Sequence, residues 1–249
     1  MTDENSTTTT DWAGLAATLT GTLHLAAPPI TITFRDEEPS TPAAFDAPMS
    51  EPTPDGRTGR VPAGCVFWMR AAERSFTTVP ADHGNCSVGS FTHGFLSLEE
   101  AAGHADVATL LEVGWVDAEA VGQVPFVSKK SAAVVYGPLT DATATPDVVL
   151  LRVNGRQMMV LSDSLPGLRI EGKPQCHIVA IAKEQGEVAA SVGCALSRAR
   201  TGMHADEMTV AIPGSQLASV VDAVVRTAAV DTIVAKYAAD DARRFAASA

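Results

Sequence analysis

Two stretches of this chain share one layout, and that layout constrains the fold more than any composition figure does. The first runs from Cys65 to Cys86 and the second from Cys176 to Cys194, with 20 and 17 residues between the cysteines. In each, a cysteine precedes an apolar, Ala-containing stretch of helical character that carries a charged pair. A short β-like stretch follows, residues 76–79 in one and 188–192 in the other. A turn then delivers the second cysteine, which opens another helix. Duplicated halves pack about a pseudo-twofold axis, which would bring two cysteine pairs together near the centre. The alternative is coincidence between two Ala-rich helix–strand units.

The remaining pattern sets the fold class as α+β, with mixed sheets, flanking helices and two pseudo-symmetric halves in one domain. Residues 1–27 read as a polar, disordered tail (1–10) and an N-terminal helix. Trp12, Leu15, Leu19 and Leu23 recur there at helical spacing behind a capping Asp11. Residues 28–249 read as the domain, with halves at about 28–125 and 130–249. Residues 30–34 alternate apolar and polar, as a half-buried strand does. Residues 36–62 are rich in Pro, acidic and small polar residues, and predict a long, loosely ordered loop. Residues 98–122 read as one helix capped by Ser97, with Glu99 and Glu100 in its first turn. The runs 132–136 and 148–153 are continuously apolar, as in parallel strands buried on both faces. Near the C-terminus Leu217, Val220, Val221, Val224 and Val225 form one helical stripe.

Charge and targeting exclude several roles. The 249 residues carry a formal net charge of −11, and no basic stripe offsets it, so nucleic acid is not an expected partner. The N-terminus MTDENSTTTTDW has neither a positive nor an apolar signal region. No run reaches the roughly 18 apolar residues of a membrane span. The expected location is the cytoplasm, with no membrane partner, where thiols stay reduced.

That leaves Cys65, Cys86, Cys176 and Cys194, the four cysteines of the chain, as the groups with chemistry to offer. Each stands at the end of an element. Cys86 and Cys194 open helices, where the dipole favours thiolate, the form that binds zinc, iron–sulfur clusters or haem iron. There is no C-x-x-C, so a shared centre has to be assembled from distant segments; otherwise these are small buried hydrophobes. His83 precedes Cys86 by three residues and His177 follows Cys176 directly, and each is a ligand, a proton donor or a polar turn group. Arg198, in CALSRAR, lies one helical turn beyond Cys194, as an anion-binding or an ordinary surface arginine. The motifs for ATP, dinucleotides, zinc proteases and serine hydrolases are absent.

The stretches PPITITF, GCVFWMRAAERSFTT, ADHGNCSVG, VVYGPL, PDVVLLRV, the CHIVA segment, VGCALSRAR and DEMTVAIPG stand in the order seen in one family. The chain resembles the domain of unknown function 169 family, the archaeal conserved region, over residues 28–217. The resemblance implies that all four cysteines fall on family motif positions, with Gly193 and Arg198 beside Cys194. Ser87, Val88, Leu196 and His177 depart from the usual residues. The leading expectation is a [4Fe–4S] cluster on Cys65, Cys86, Cys176 and Cys194. It would serve an oxidoreductase or lyase, with His177 and Arg198 as substrate-side groups and a small molecule or electron-transfer protein as partner. The alternatives are a haem with a Cys or His axial ligand, a zinc site, and a non-enzymatic small-molecule or thiol redox-sensing module. The apolar terminal helix is expected to pack within the molecule, with room for a homodimer.

Overall fold

The computed structural model describes residues 10–246. The expected disordered tail therefore lies, but for Thr10, outside the described residues.

Seven strands form one sheet: β1 (Ile30–Arg35), β2 (Phe76–Thr78), β3 (Ala133–Pro138), β4 (Val148–Val153), β5 (Arg169–Glu171), β6 (Ala189–Ser191) and β7 (Met208–Pro213). Their order is β2-β3-β1-β4-β7-β6-β5. Every pairing is antiparallel except β5 with β6. Helices are α1 (Trp12–Leu23), α2 (Cys65–Arg70), α3 (Ser87–Thr92), α4 (Leu98–Ala102), α5 (Ala105–Glu112), α6 (Ala118–Gly122), α7 (Gly155–Ser164), α8 (His177–Ala180), α9 (Ala195–Thr201), α10 (Leu217–Ala228) and α11 (Val230–Phe245). The fold is α+β, a mixed sheet with flanking helices.

Both faces of the sheet are covered. On one face Val149, Leu151, Val153, Val210 and Ile212 pack under α1, α7 and α10, through Trp12, Leu19, Leu161, Leu217, Val221 and Val224. On the other, Ile30, Ile32, Val134, Tyr136, Val148 and Leu150 meet Phe67 and Trp68 of α2 and Ile178 and Val179 of α8. This double cover corrects the reading of 132–136 and 148–153 as parallel strands. Burial on both faces, not strand direction, selects a continuous apolar run, and β3 and β4 pair antiparallel to their neighbours.

Two other expectations change. Residues 98–122 do not form one helix. The capping box holds, with the Ser97 hydroxyl accepting from Glu100 N (3.1 Å) and the Glu100 carboxylate accepting from Ser97 N (2.7 Å). But α4 ends at Gly103 and α5 runs into Gly114, whose φ of 69° leaves the helical region. The segment thus becomes three short helices, wrapped round a cleft. Residues 36–62 are also tied down. Phe45 and Val61 are buried in the core, Phe45 N donates to Thr77 O (2.8 Å), and Thr77 N to Ala43 O (2.9 Å). Phe45 packs edge-on against Phe67 and Phe76, 5.0 and 4.9 Å between ring centroids.

Tyr136 sits at the base of this aromatic group, stacked on Phe67 and Phe76, fully buried, its hydroxyl without a partner. An unpaired buried hydroxyl costs about 1–3 kcal/mol. Tyr136→Phe is therefore expected to leave stability unchanged or raise it by about 1 kcal/mol, whereas Tyr136→Ala loses about 3–5 kcal/mol. Urea unfolding midpoints check both, and a destabilised Tyr136→Phe protein would refute this account.

Candidate functional site: a thiol chamber and its apolar cleft

The four cysteines reach one place by matching routes. Cys65 is the first residue of α2, and Cys176 immediately precedes α8. Cys86 and Cys194 are the extended residues that precede α3 and α9, both with φ of −134°. All four line a single chamber on the α2/α8 side of the sheet, with Trp68, His93, Trp115, Gln175 and Ser197 in the same wall. Its free volume is about 30 Å³, close to one water's share of the liquid. Arg200, on α9, ties together the two segments that lead to Cys65 and Cys86. Its guanidinium donates to the carbonyl of Pro62, just ahead of Cys65, and to that of Asn85, just ahead of Cys86 (2.8 Å).

Three of the thiols, Cys65, Cys86 and Cys176, are held protonated. Burial raises Cys65, and raises Cys176 well above the ordinary thiol range, with Cys65 and Cys86 adding to the shift at Cys176. Burial pushes Cys86 up to about 12. The expectation that a helix start makes Cys86 a thiolate is thus overturned. A six-residue helix offers a fraction of a kcal/mol to a charge, and desolvation costs more.

The iron–sulfur reading is corrected as well. Among the described residues, no group of three or more His, Cys, Asp or Glu side chains is arranged to hold a metal ion. The thiols are distributed round the chamber wall and do not converge as a ligand set, and the redox or Lewis-acid role built on a cluster loses its basis.

His93 is neutral and exposed by only 2%. Its Nδ1–H donates to Gly89 O (3.0 Å), and burial holds its pKa down to about 4. That leaves Nε2, buried and without a partner, as an acceptor. Gln175 donates from Nε2 to the Ser197 hydroxyl (2.8 Å), while its Oε1 is unpaired, and Trp68 Nε1–H is unpaired too. Three residues of one wall therefore carry three buried polar atoms without a partner, two acceptors and one donor.

The groups expected on the substrate side stand elsewhere. His177 is buried outside the chamber wall, with Nε2 3.7 Å from the Glu171 carboxylate, and burial lowers its pKa. Arg198 donates from Nε to the carbonyl of Ala205 (3.1 Å) and from Nη2 to those of Val192 (3.3 Å) and Glu207, while its Nη1 is buried without a partner. It packs so closely over Gly193, at φ 125°, that a Cβ there would strike it. His83 lies behind the chamber, its Nε2 3.0 Å from the Thr78 hydroxyl and its ring 5.6 Å from that of His93. Sequence reasoning missed Trp68, Gln175 and Trp115. Trp68 alone carried a signal, standing three residues after Cys65 on the same helical face.

The chamber adjoins a larger cleft with a free volume of about 170 Å³, enclosed by α3–α6 and the 173–174 turn. The two spaces share Val88, Trp115 and Pro174. The cleft walls are apolar, among them Phe91, Leu98, Val107, Leu110 and Val121, with Asp117 and Lys173 as its charged residues. Lys173 sits 4.0 Å over the Trp115 ring. An apolar space of this size accommodates a benzene-sized body.

Two outcomes follow. With iodoacetamide at neutral pH, Cys194 is expected to be alkylated first, and Cys65 and Cys176 only after unfolding. The rate at Cys86 should keep climbing with pH toward about 12. Peptide mass mapping resolves the four sites, and equal labelling of all four would contradict a closed chamber. His93 makes stability depend on acid. Its folded pKa of about 4 lies below its ordinary 6.5, so the unfolded chain binds the proton first. Stability is full above 6.5 and falls as pH drops through about 4, by on the order of 3 kcal/mol. His93→Gln should flatten this part of the profile in urea titrations.

A family model for domain of unknown function 169, described as an uncharacterised ArCR, matches residues 18–223. No curated protein and no solved structure matches this chain. Among the described residues, no helix is long and apolar enough to cross a membrane.

Proposed function

The chain belongs to the domain of unknown function 169 family, and we propose that it binds a small, neutral ligand with an apolar body and a hydrogen-bonding head. The body occupies the Trp115 cleft, and the head enters the thiol chamber. The observation that carries this reading is the set of unused polar atoms on Trp68, His93 and Gln175. A buried polar atom without a partner costs about 1–3 kcal/mol, and three in one wall amount to a template for a ligand. A primary amide has the matching inventory. Its two N–H groups suit the His93 and Gln175 acceptors, and its carbonyl suits Trp68 Nε1–H.

Neutrality follows from the same wall. The protonated thiols of Cys65, Cys86 and Cys176 and the neutral imidazole of His93 offer no countercharge, so an ionised head would be desolvated unpaired. The apolar cleft supplies affinity, and the chamber supplies discrimination between heads.

Calorimetric titration with benzamide, toluene and benzoate tests the reading. Benzamide is expected to bind at least about tenfold tighter than either. His93→Phe should erase its advantage over toluene, and Trp115→Ala should weaken benzamide and toluene together. Equal binding of benzamide and benzoate, or no binding of any probe, would overturn the proposal. So would stoichiometric iron, sulfide or zinc in protein purified without oxygen.

A further inference from the structure

Val107 and Val127 are buried, 4% and 0% exposed, and the chain is pinned to α3 at both points. Asp106, next to Val107, accepts from Ser87 N (3.1 Å) and from the Ser87 hydroxyl (2.8 Å). Val127 N donates to Thr92 O (2.9 Å). Between these two anchors no residue from 108 to 126 is buried. The hydrogen bonds of this segment stay within α5, α6 and the turns that follow them, with one exception among the described residues. The exception is Lys173, whose ammonium donates to Trp115 O and stands 4.0 Å over the Trp115 ring. A stretch without a buried side chain, held by a single outside hydrogen bond, is where local opening is easiest.

The inner side of the segment is apolar. Leu110, Trp115, Val116, Val121 and Val124 are half-buried, and they wall the cleft opposite Val88, Phe91, Ala101 and Pro174. Trp115 also stands with Val88 and Pro174 where the cleft meets the thiol chamber. Lys173 directly precedes Pro174, so the one outside hydrogen bond is made at that same threshold. Both of its contacts, to the ring and to the carbonyl, exist only while Trp115 lies inward. Phe126, at the other end, rests its ring 5.1 Å from that of Phe91. That contact adjoins the Val127 anchor and survives a swing of the rest.

We propose that residues 108–126 are a lid over the cleft, swinging about Val107 and Val127 and latched by Lys173 on Trp115. Its purpose rests on the ligand reading above, for which it supplies the entry step; its motion does not depend on that reading. Helices as short as α5 and α6 do not persist once they leave their packing, so opening is read directly as amide exchange.

Hydrogen–deuterium exchange on the full chain, without ligand, tests the motion. Amides of 108–126 are expected to exchange about a hundredfold faster than those of α3 and β3. Lys173→Met should speed them about tenfold further and leave β1, β4 and α10 unchanged. Lys173→Arg keeps a cationic donor over the ring and should restore the wild-type rate. Stopped-flow mixing with benzamide tests the purpose. Lys173→Met should bind and release it about tenfold faster at a nearly constant dissociation constant, because the latch is lost equally from the free and the bound closed states. A segment as protected as α3 would overturn the proposal. So would a Lys173→Met protein whose 108–126 exchange is unmoved, one whose exchange rises throughout the sheet, or one that binds benzamide with unchanged kinetics. If the wild type binds no benzamide, the ligand reading falls, and the exchange rates alone decide the lid.

Discussion

Everything in the fold hangs on a short antiparallel contact at the middle of the sheet. Strands β1 and β4 meet through three residue pairs, Ile30 with Leu150, Thr31 with Val149, and Ile32 with Val148. Outward from this contact the strands stand in matched order, β3 and β2 on one side, β7 and β6 on the other. The helices that carry Cys65 and Cys176 lead into β2 and β6, the strands at matched positions. Joining the two triplets at β1–β4 is what allows one chamber to take cysteines from both. The junction is made of β-branched and Leu side chains buried on both faces, so sliding it by one residue would turn both cores inside out.

The elements legible in the sequence were those fixed by short-range physics. The spacing of Trp12, Leu19 and Leu23 gave α1, the alternation of Ile30, Thr31 and Ile32 gave β1, and Ser97 with Glu100 gave a helix start. The stripe on α10 and the helix-opening positions of Cys86 and Cys194 were equally plain. Strand direction was not legible, because a Val-rich run reports burial and is silent about its neighbour's polarity. Residues 36–62 misled for a related reason. Their Pro and acidic content describes the exposed positions, while Phe45 and Val61 anchor the segment through contacts distant in sequence.

The site was legible as a gathering of cysteines and illegible as chemistry. Layout placed Cys65, Cys86, Cys176 and Cys194 together, which is where all four stand. What they do there is set by surroundings that spacing does not encode. The expected thiolate at Cys86 rested on a helix dipole, a weak and local term, and an apolar wall supplied by Trp68, Val88 and Trp115 outweighs it. His177 and Arg198 were chosen for nearness along the chain. In the fold one turns toward Glu171 and the other braces the backbone around Gly193. His93 and Gln175 come to the chamber from positions with no motif to mark them.

The insertion between α3 and β3 gives the chamber a direction. The chain carries α4, α5 and α6 between α3 and β3, whereas it passes from α9 to β7 in a few residues. The cleft meets the chamber at Val88, Trp115 and Pro174, so a ligand of the kind proposed would pass these residues before it reached the cysteines. On the ligand reading proposed above, a single cleft means one occupant per chain. Changes in α4, α5 and α6 would then alter the entrance and leave the cysteine wall as it is.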